Sequence, residues 1–148
     1  MKQVFILISC LLLSSPLLAN DSPEALQEAF MTAMRAMDTD ALAACYSADA
    51  TSYDVGVQVV KGAEAVAASW GGFFSVYNVL EAKLFNNTVE THGDTGIAWG
   101  EFEFIVEPKE GGDSFAMIGR FTDVSRNIDG KWLYILDHVS MVPPAAEE

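Results

Sequence analysis

The chain is short of almost everything that metal, redox or nucleotide chemistry requires. Among its 148 residues are two cysteines and two histidines. Cys10 falls in an apolar leader, which leaves Cys45 alone and excludes an intrachain disulfide. Cys45 sits in an apolar helical pattern and reads as a small core residue, not a nucleophile. His92 and His138 lack ligand spacing, and no phosphate loop, nucleophile elbow or dinucleotide fingerprint occurs. The reading is therefore cofactor-free and metal-free. Positive charge is scarce as well, with 8 basic against 21 acidic residues. Such a field excludes nucleic acid and anionic membrane surfaces as natural partners.

A long apolar run is also missing, since a bilayer takes roughly 20 such residues. Met1-Lys2-Gln3 is a short basic start, Val4 to Leu13 is apolar, and Ser14 to Ala19 ends on a small residue. Residues 1–19 therefore read as a secretory signal peptide cut after Ala19, giving a periplasmic or secreted protein with no membrane attachment after cleavage. Removing Lys2 leaves seven basic residues against the same 21 acids.

What is present is a run of helical patterns followed by long alternating ones. Ser22-Pro23-Glu24 opens a helix with Leu26, Phe30, Ala33, Met34 and Met37 on one face. Asp38-Thr39-Asp40 breaks it and caps a short second helix, Ala41 to Tyr46. Ala50 to Asp54 reads as a strand leading into a loop at Val55 to Val60. A third helix spans roughly Ala63 to Phe74, with Val66 and Trp70 on its apolar side and Gly71-Gly72 weakening its end. Leu84 to Thr91 and Thr95 to Glu107 follow as strands. The second puts Ala98, Gly100, Phe102, Phe104 and Val106 on one side, and Ile97, Trp99 and Glu101 on the other. Ser114 to Arg126 and Lys131 to Met141 close the chain as a hairpin, and 143–148 is a disordered tail. Helices first and antiparallel strands after them indicate an α+β domain over residues 20–142, with three helices on one face of a curved sheet.

Parity along the hairpin decides what faces the helices. A four-residue loop pairs Arg120 with Asp137, whereas a two-residue Asp129-Gly130 turn pairs Arg120 with Val139. Both registers put Arg120, Thr122, Ile135, Asp137 and Val139 on one face, and Trp132, Tyr134, Leu136 and His138 on the other with Phe121 and Asp123. The expectation is that the ionic face lines the interior. The aromatic face, with Trp99, Trp132 and Tyr134, would then be the contact of a homodimer.

Taken in order, these pieces resemble the SnoaL-like and ketosteroid-isomerase-like domains of the nuclear transport factor 2 superfamily. The resemblance rests on the opening from Leu26 to Tyr46, Ala48-Asp49-Ala50-Thr51, and Lys61-Gly62-Ala63-Glu64-Ala65-Val66. It also rests on Arg120-Phe121-Thr122-Asp123, Asp129-Gly130-Lys131-Trp132 and Asp137-His138-Val139-Ser140. It implies a strongly curved, mostly antiparallel sheet in a cone-shaped, cystatin-like α+β barrel, closed by three helices around a pocket. It also implies dimerisation through the outer face of the sheet.

The resemblance places Asp54 where steroid isomerases carry their catalytic base. It places Phe30 where they carry a tyrosine donor, and Thr122 where they carry a protonated aspartate. Phe30 cannot donate a hydrogen bond and Thr122 is a weak donor, which disfavours steroid-type isomerisation. Asp137 is a second candidate acid or base. Arg120, oriented by Asp137, could bind an anion, or the two could form a structural ion pair. Phe30, Trp70, Phe102, Phe104, Thr122 and Ile135 complete the expected ligand-binding lining. Three functions stay open: a binder of a small, largely apolar molecule; a cofactor-free isomerase, cyclase or hydrolase with Asp54 as base; and a pure dimerisation module.

Overall fold

A computed structural model describes residues 20–56 and 59–142; the expected leader, 1–19, and tail, 143–148, lie outside the described residues. Helix α1 (Pro23–Ala36) starts on Ser22, whose Oγ accepts a 3.1 Å hydrogen bond from the Ala25 amide. It stops at Met37, which takes a left-handed conformation with φ 52°. Asp38 caps α2 (Thr39–Ala43) by accepting from the Ala41 amide at 2.9 Å. Strands β1 (Tyr46–Tyr53) and β2 (Val60–Lys61) precede α3 (Ala63–Val76). That helix runs through Gly71-Gly72 to Val76 because Trp70, Phe73 and Phe74 give its last turns an aromatic face to pack.

Four long strands follow: β3 (Tyr77–His92), β4 (Thr95–Pro108), β5 (Phe115–Ile128) and β6 (Lys131–Met141). β3 begins seven residues before the alternation that identified it, because Tyr77 to Lys83 pairs with Pro108 to Glu103 of β4. The six strands form one sheet in the order β2-β1-β6-β5-β4-β3. Only the β1–β6 pair is parallel. The sheet wraps around the helices, so that α1 and α3 face its hollow side, and the α+β class and three-helix cover stand as expected.

The closing hairpin settles the register. Asp129 (φ 53°) and Gly130 (φ 86°) make a two-residue turn with both φ values positive, and Ile128 pairs with Lys131. From there Ser125 pairs with Tyr134, but Val124 pairs with Leu136, which leaves Ile135 as the extra residue of a β-bulge. Beyond the bulge Asp123 lies opposite Asp137 and Arg120 opposite Ser140, so neither expected partner of Arg120 is right. One unpaired residue also reverses parity. Trp132 and Tyr134 face inward before it, and Asp137 faces inward after it.

Phe121 and Asp123 share the inner face on β5, while Arg120 and Thr122 point out. Gly119 makes room there: a Cβ at that position would sit 2.4 Å from the Phe102 ring and 2.7 Å from the Ser140 carbonyl oxygen. The core forms two connected clusters. One joins Met34, Leu42, Phe102, Phe104 and Val106. The other joins Leu26, Tyr46, Val66, Trp132 and Tyr134.

Candidate functional site

The hollow between sheet and helices forms a partly open cavity of about 460 Å³. Its walls are hydrocarbon for most of their extent: Phe30 and Met31 from α1, Trp70 and Phe73 from α3, Leu84, Phe102 and Phe104 from β3 and β4, and Met117, Phe121, Val139 and Met141 from β5 and β6. Phe30 organises the aromatic part. Its ring meets Tyr46, Trp70 and Tyr134 edge-on at centroid distances of 6.3, 5.9 and 5.9 Å. The polar part of the lining includes Tyr46, Asp54, Asp123, Tyr134 and Asp137, with Gln27 and Ser69. No Lys, Arg or His stands among the described lining residues.

Asp137 is 7% exposed and is held by two hydroxyls of β1. Tyr46 donates its phenol to Oδ2 at 2.5 Å, and Ser52 donates to Oδ1 at 3.1 Å. The short phenol contact lies in the range of a hydrogen bond to an ionised acceptor. Burial raises the Asp137 carboxyl above its ordinary range; the Tyr46 and Ser52 hydrogen bonds pull it back, and Asp54 nearby raises it further. Asp123 faces it across the ladder, and among the described residues its carboxyl has no hydrogen-bond partner. Burial, then the charge of Asp137, pushes Asp123 well above the usual carboxylate range. Two facing carboxyls cannot both ionise cheaply in such a place. Of the two, Asp137 has hydroxyl donors that favour its ionised form, and Asp123 has none among the described residues.

Both tyrosines stay phenolic. Burial and then Asp137 raise Tyr46, while burial and then Asp123 raise Tyr134. Asp54, just past β1, lines the same cavity, and its Oδ1 accepts from the Val55 amide at 2.7 Å. Burial raises its carboxyl, and that amide opposes the rise. At another part of the wall, Gln27 and Asn87 exchange two side-chain amide hydrogen bonds, at 3.2 and 2.6 Å, which fix Gln27 against the cavity.

The structure brings Asp54, Asp137, Phe30, Trp70, Phe102 and Phe104 to one volume. It does not bring Arg120, Thr122 or Ile135 there. The Arg120 side chain is 62% exposed on the convex face, with Nε 3.9 Å from Glu101. Thr122 lies on the same outer side, and Ile135 is the bulge residue outside the cavity lining. Ile118 and Val124 likewise face outward. Trp132 and Tyr134, expected at an outer contact, are buried inside, whereas Trp99 does face out.

Tyr46, Asp123 and Tyr134 escape the sequence reading, because strict alternation assigns Asp123 and Tyr134 to the outer face. The signal that could have found Asp123 is Gly119-x-Phe121-x-Asp123-x-Ser125, a small-and-aromatic row in phase with Phe102 and Phe104 across β4. His138 stands outside against the Tyr53 ring, at a centroid distance of 6.1 Å. Cys45 is buried, donates to the Ala41 carbonyl and is pushed up to about 11, which keeps it a thiol. Among the described residues no group of three His, Cys, Asp or Glu side chains is arranged to hold a metal ion.

Solved structures share this architecture at the level of fold. A ketosteroid isomerase-like protein from Erwinia carotovora atroseptica superposes with a TM-score of 0.72 at 20% identity, over 82% of this chain and 94% of its own. A Caulobacter vibrioides protein with a cystatin-like fold gives 0.70 at 18%, over 86% and 92%. A provisionally assigned scytalone dehydratase from Novosphingobium aromaticivorans gives 0.74 at 12%, over 81% of each chain. No curated protein matches the chain. The family model for the SnoaL-like domain matches residues 27–135, a span running from the α1 residue Gln27 to the bulge in β6 and containing most of the cavity wall, and the chain belongs to that family.

Proposed function

We propose that this chain is an exported SnoaL-like domain that binds a small, largely apolar molecule in its cavity. The observation that carries the reading is the cavity of about 460 Å³, with hydrocarbon walls and a few convergent polar groups. Phe102, Phe104 and Trp70 line that space without plugging it, which speaks against a pure dimerisation module. The leader pattern in residues 1–19 supports export to the periplasm or outside the cell. The convex face supports a homodimer centred on Trp99, which is 38% exposed, with Thr122 paired to it across the ladder. Native mass spectrometry of the exported protein tests this reading. We expect a dimer cut after Ala19 that retains a small molecule. A protein that is ligand-free, and that also leaves a hydrophobic fluorescent probe unbound, contradicts it.

Asp54 favours a second reading. Its carboxyl is raised by burial and faces the cavity, as a general base must. A cofactor-free isomerase, cyclase or hydrolase would use it with Asp137. The solved relatives named for an isomerase and a dehydratase are compatible with such chemistry. Turnover abolished by Asp54→Asn, with ligand affinity kept, would support catalysis.

A further inference from the structure

The cavity's charge is one-sided. Asp54, Asp123 and Asp137 face it, and no basic side chain stands among its described lining residues to balance them. An acidic patch on the surface would be solvated and mean little. Here the acids share a concave, partly open cavity with hydrocarbon; Asp137 is more than nine-tenths buried, and Asp54 and Asp123 are half-buried. Each Asp137 oxygen accepts one hydroxyl hydrogen bond, and a carboxylate oxygen has room for a second. Asp123, opposite it, has no hydrogen-bond partner among the described residues. Acceptor capacity is thus concentrated where donors from the protein run out. The adjoining wall is aromatic, and Phe30, Tyr46, Trp70 and Tyr134 offer ring faces and edges within one cluster. Carboxyl groups beside aromatic rings in one cavity favour a cation over an anion or a neutral group.

We infer that the ligand is a hydrophobic amine, bound as its ammonium ion. Its N–H donors go to Asp137 and Asp123, and its hydrocarbon lies against Phe30, Trp70 and Phe102. This deepens the small-molecule reading given above and rests on it. It also replaces the anion expected from Arg120, whose guanidinium lies on the other side of the sheet. The ammonium would bring the counter-charge that the lining lacks, and the second carboxyl would release its proton as the ion enters.

Three probes with one hydrocarbon and different head groups test the inference: 3-phenylpropylammonium, 3-phenylpropan-1-ol and 3-phenylpropionate, each titrated calorimetrically into the protein at neutral pH. We expect the ammonium to bind at least about tenfold tighter than the alcohol, and the carboxylate weakest, as charge-assisted hydrogen bonds to the two carboxyls require. Asp123→Asn should cut the ammonium-over-alcohol ratio by about threefold or more, because it removes one of the two carboxyls. An alcohol that binds as tightly as the ammonium overturns the inference and leaves the small-molecule reading standing. An ammonium preference that Asp123→Asn leaves unchanged also overturns it, since the cation would then sit elsewhere. Failure of all three probes to bind sinks the inference and the small-molecule reading together.

Discussion

Strands β4 and β6 carry similar alternating sequences and treat their faces differently. β4 is regular throughout: Ala98, Phe102, Phe104 and Val106 are buried on the hollow side, and Trp99 and Glu101 point away. β6 is regular only on either side of Ile135. Trp132 and Tyr134 face inward before that residue, and Asp137, Val139 and Met141 face inward after it. β4 is thus a wall and β6 is a wall with a joint. The joint has a chemical consequence. It places Tyr134 and Asp137, three residues apart, on one side of a strand, where strict alternation would separate them. The polar groups of the cavity gather at this irregularity, and the hydrocarbon wall is built on the regular strand.

Removing the joint should have the largest effect. Deleting Ile135 restores strict alternation and turns either Asp137, Val139 and Met141 or Trp132 and Tyr134 outward. We expect a loss of more than about 4 kcal/mol by denaturant unfolding, or no cooperative fold at all. A deletion variant as stable as the parent would show that the joint is dispensable.

Gly119→Ala attacks the point where the two strands' faces meet, driving a methyl into the Phe102 ring and the Ser140 carbonyl. Overpacking of that kind costs about 3 kcal/mol in the same measurement. Tyr46→Phe strips the buried Asp137 of its shorter hydrogen bond, leaving Ser52 as its donor. The expected loss is about 2 kcal/mol at neutral pH, shrinking as acid protonates Asp137.

Asp123→Asn should work in the opposite direction. Burial and the charge of Asp137 raise this carboxyl, so the folded state holds its proton more tightly than the unfolded chain does. The stability from that preference is complete below the unfolded-state value and is lost as pH rises through the folded one. The asparagine variant should therefore unfold at higher temperature than the parent at pH 7, by on the order of 1 kcal/mol, with the gap closing near pH ~4. A variant that is less stable at pH 7 would mean that Asp123 is ionised and paired. Trp99→Glu, on the outward side of the regular strand, should change the stability of the subunit by less than about 0.5 kcal/mol. It should still convert the proposed dimer to a monomer by sedimentation.

The legible parts of this molecule are those governed by local rules. Ser22-Pro23 and Asp38 announce two helix starts, Asp129-Gly130 announces the hairpin, and β4 shows its faces because nothing interrupts its period of two. The family resemblance supplied the curved sheet and the position of Asp54 on the cavity. The bulge at Ile135 is not legible, since an apolar residue among apolar residues gives no sign that it stands unpaired. That single omission sent Arg120 inward and Tyr134 and Asp123 outward. Asp137 was placed on the correct side, but only with the wrong companions. The tyrosine Tyr46 was hidden for a different reason: it reads as the end of a helix, although it begins β1.

The β6 bulge sets Asp123 beside Asp137 on the cavity wall. Side-chain carboxyl carbon NMR shifts, followed from acid to neutral pH, address it directly. Asp123 should titrate well above the ordinary aspartate range, and it should move down when Asp137→Asn removes its neighbour. An Asp123 that titrates in the ordinary range and ignores that substitution would contradict it.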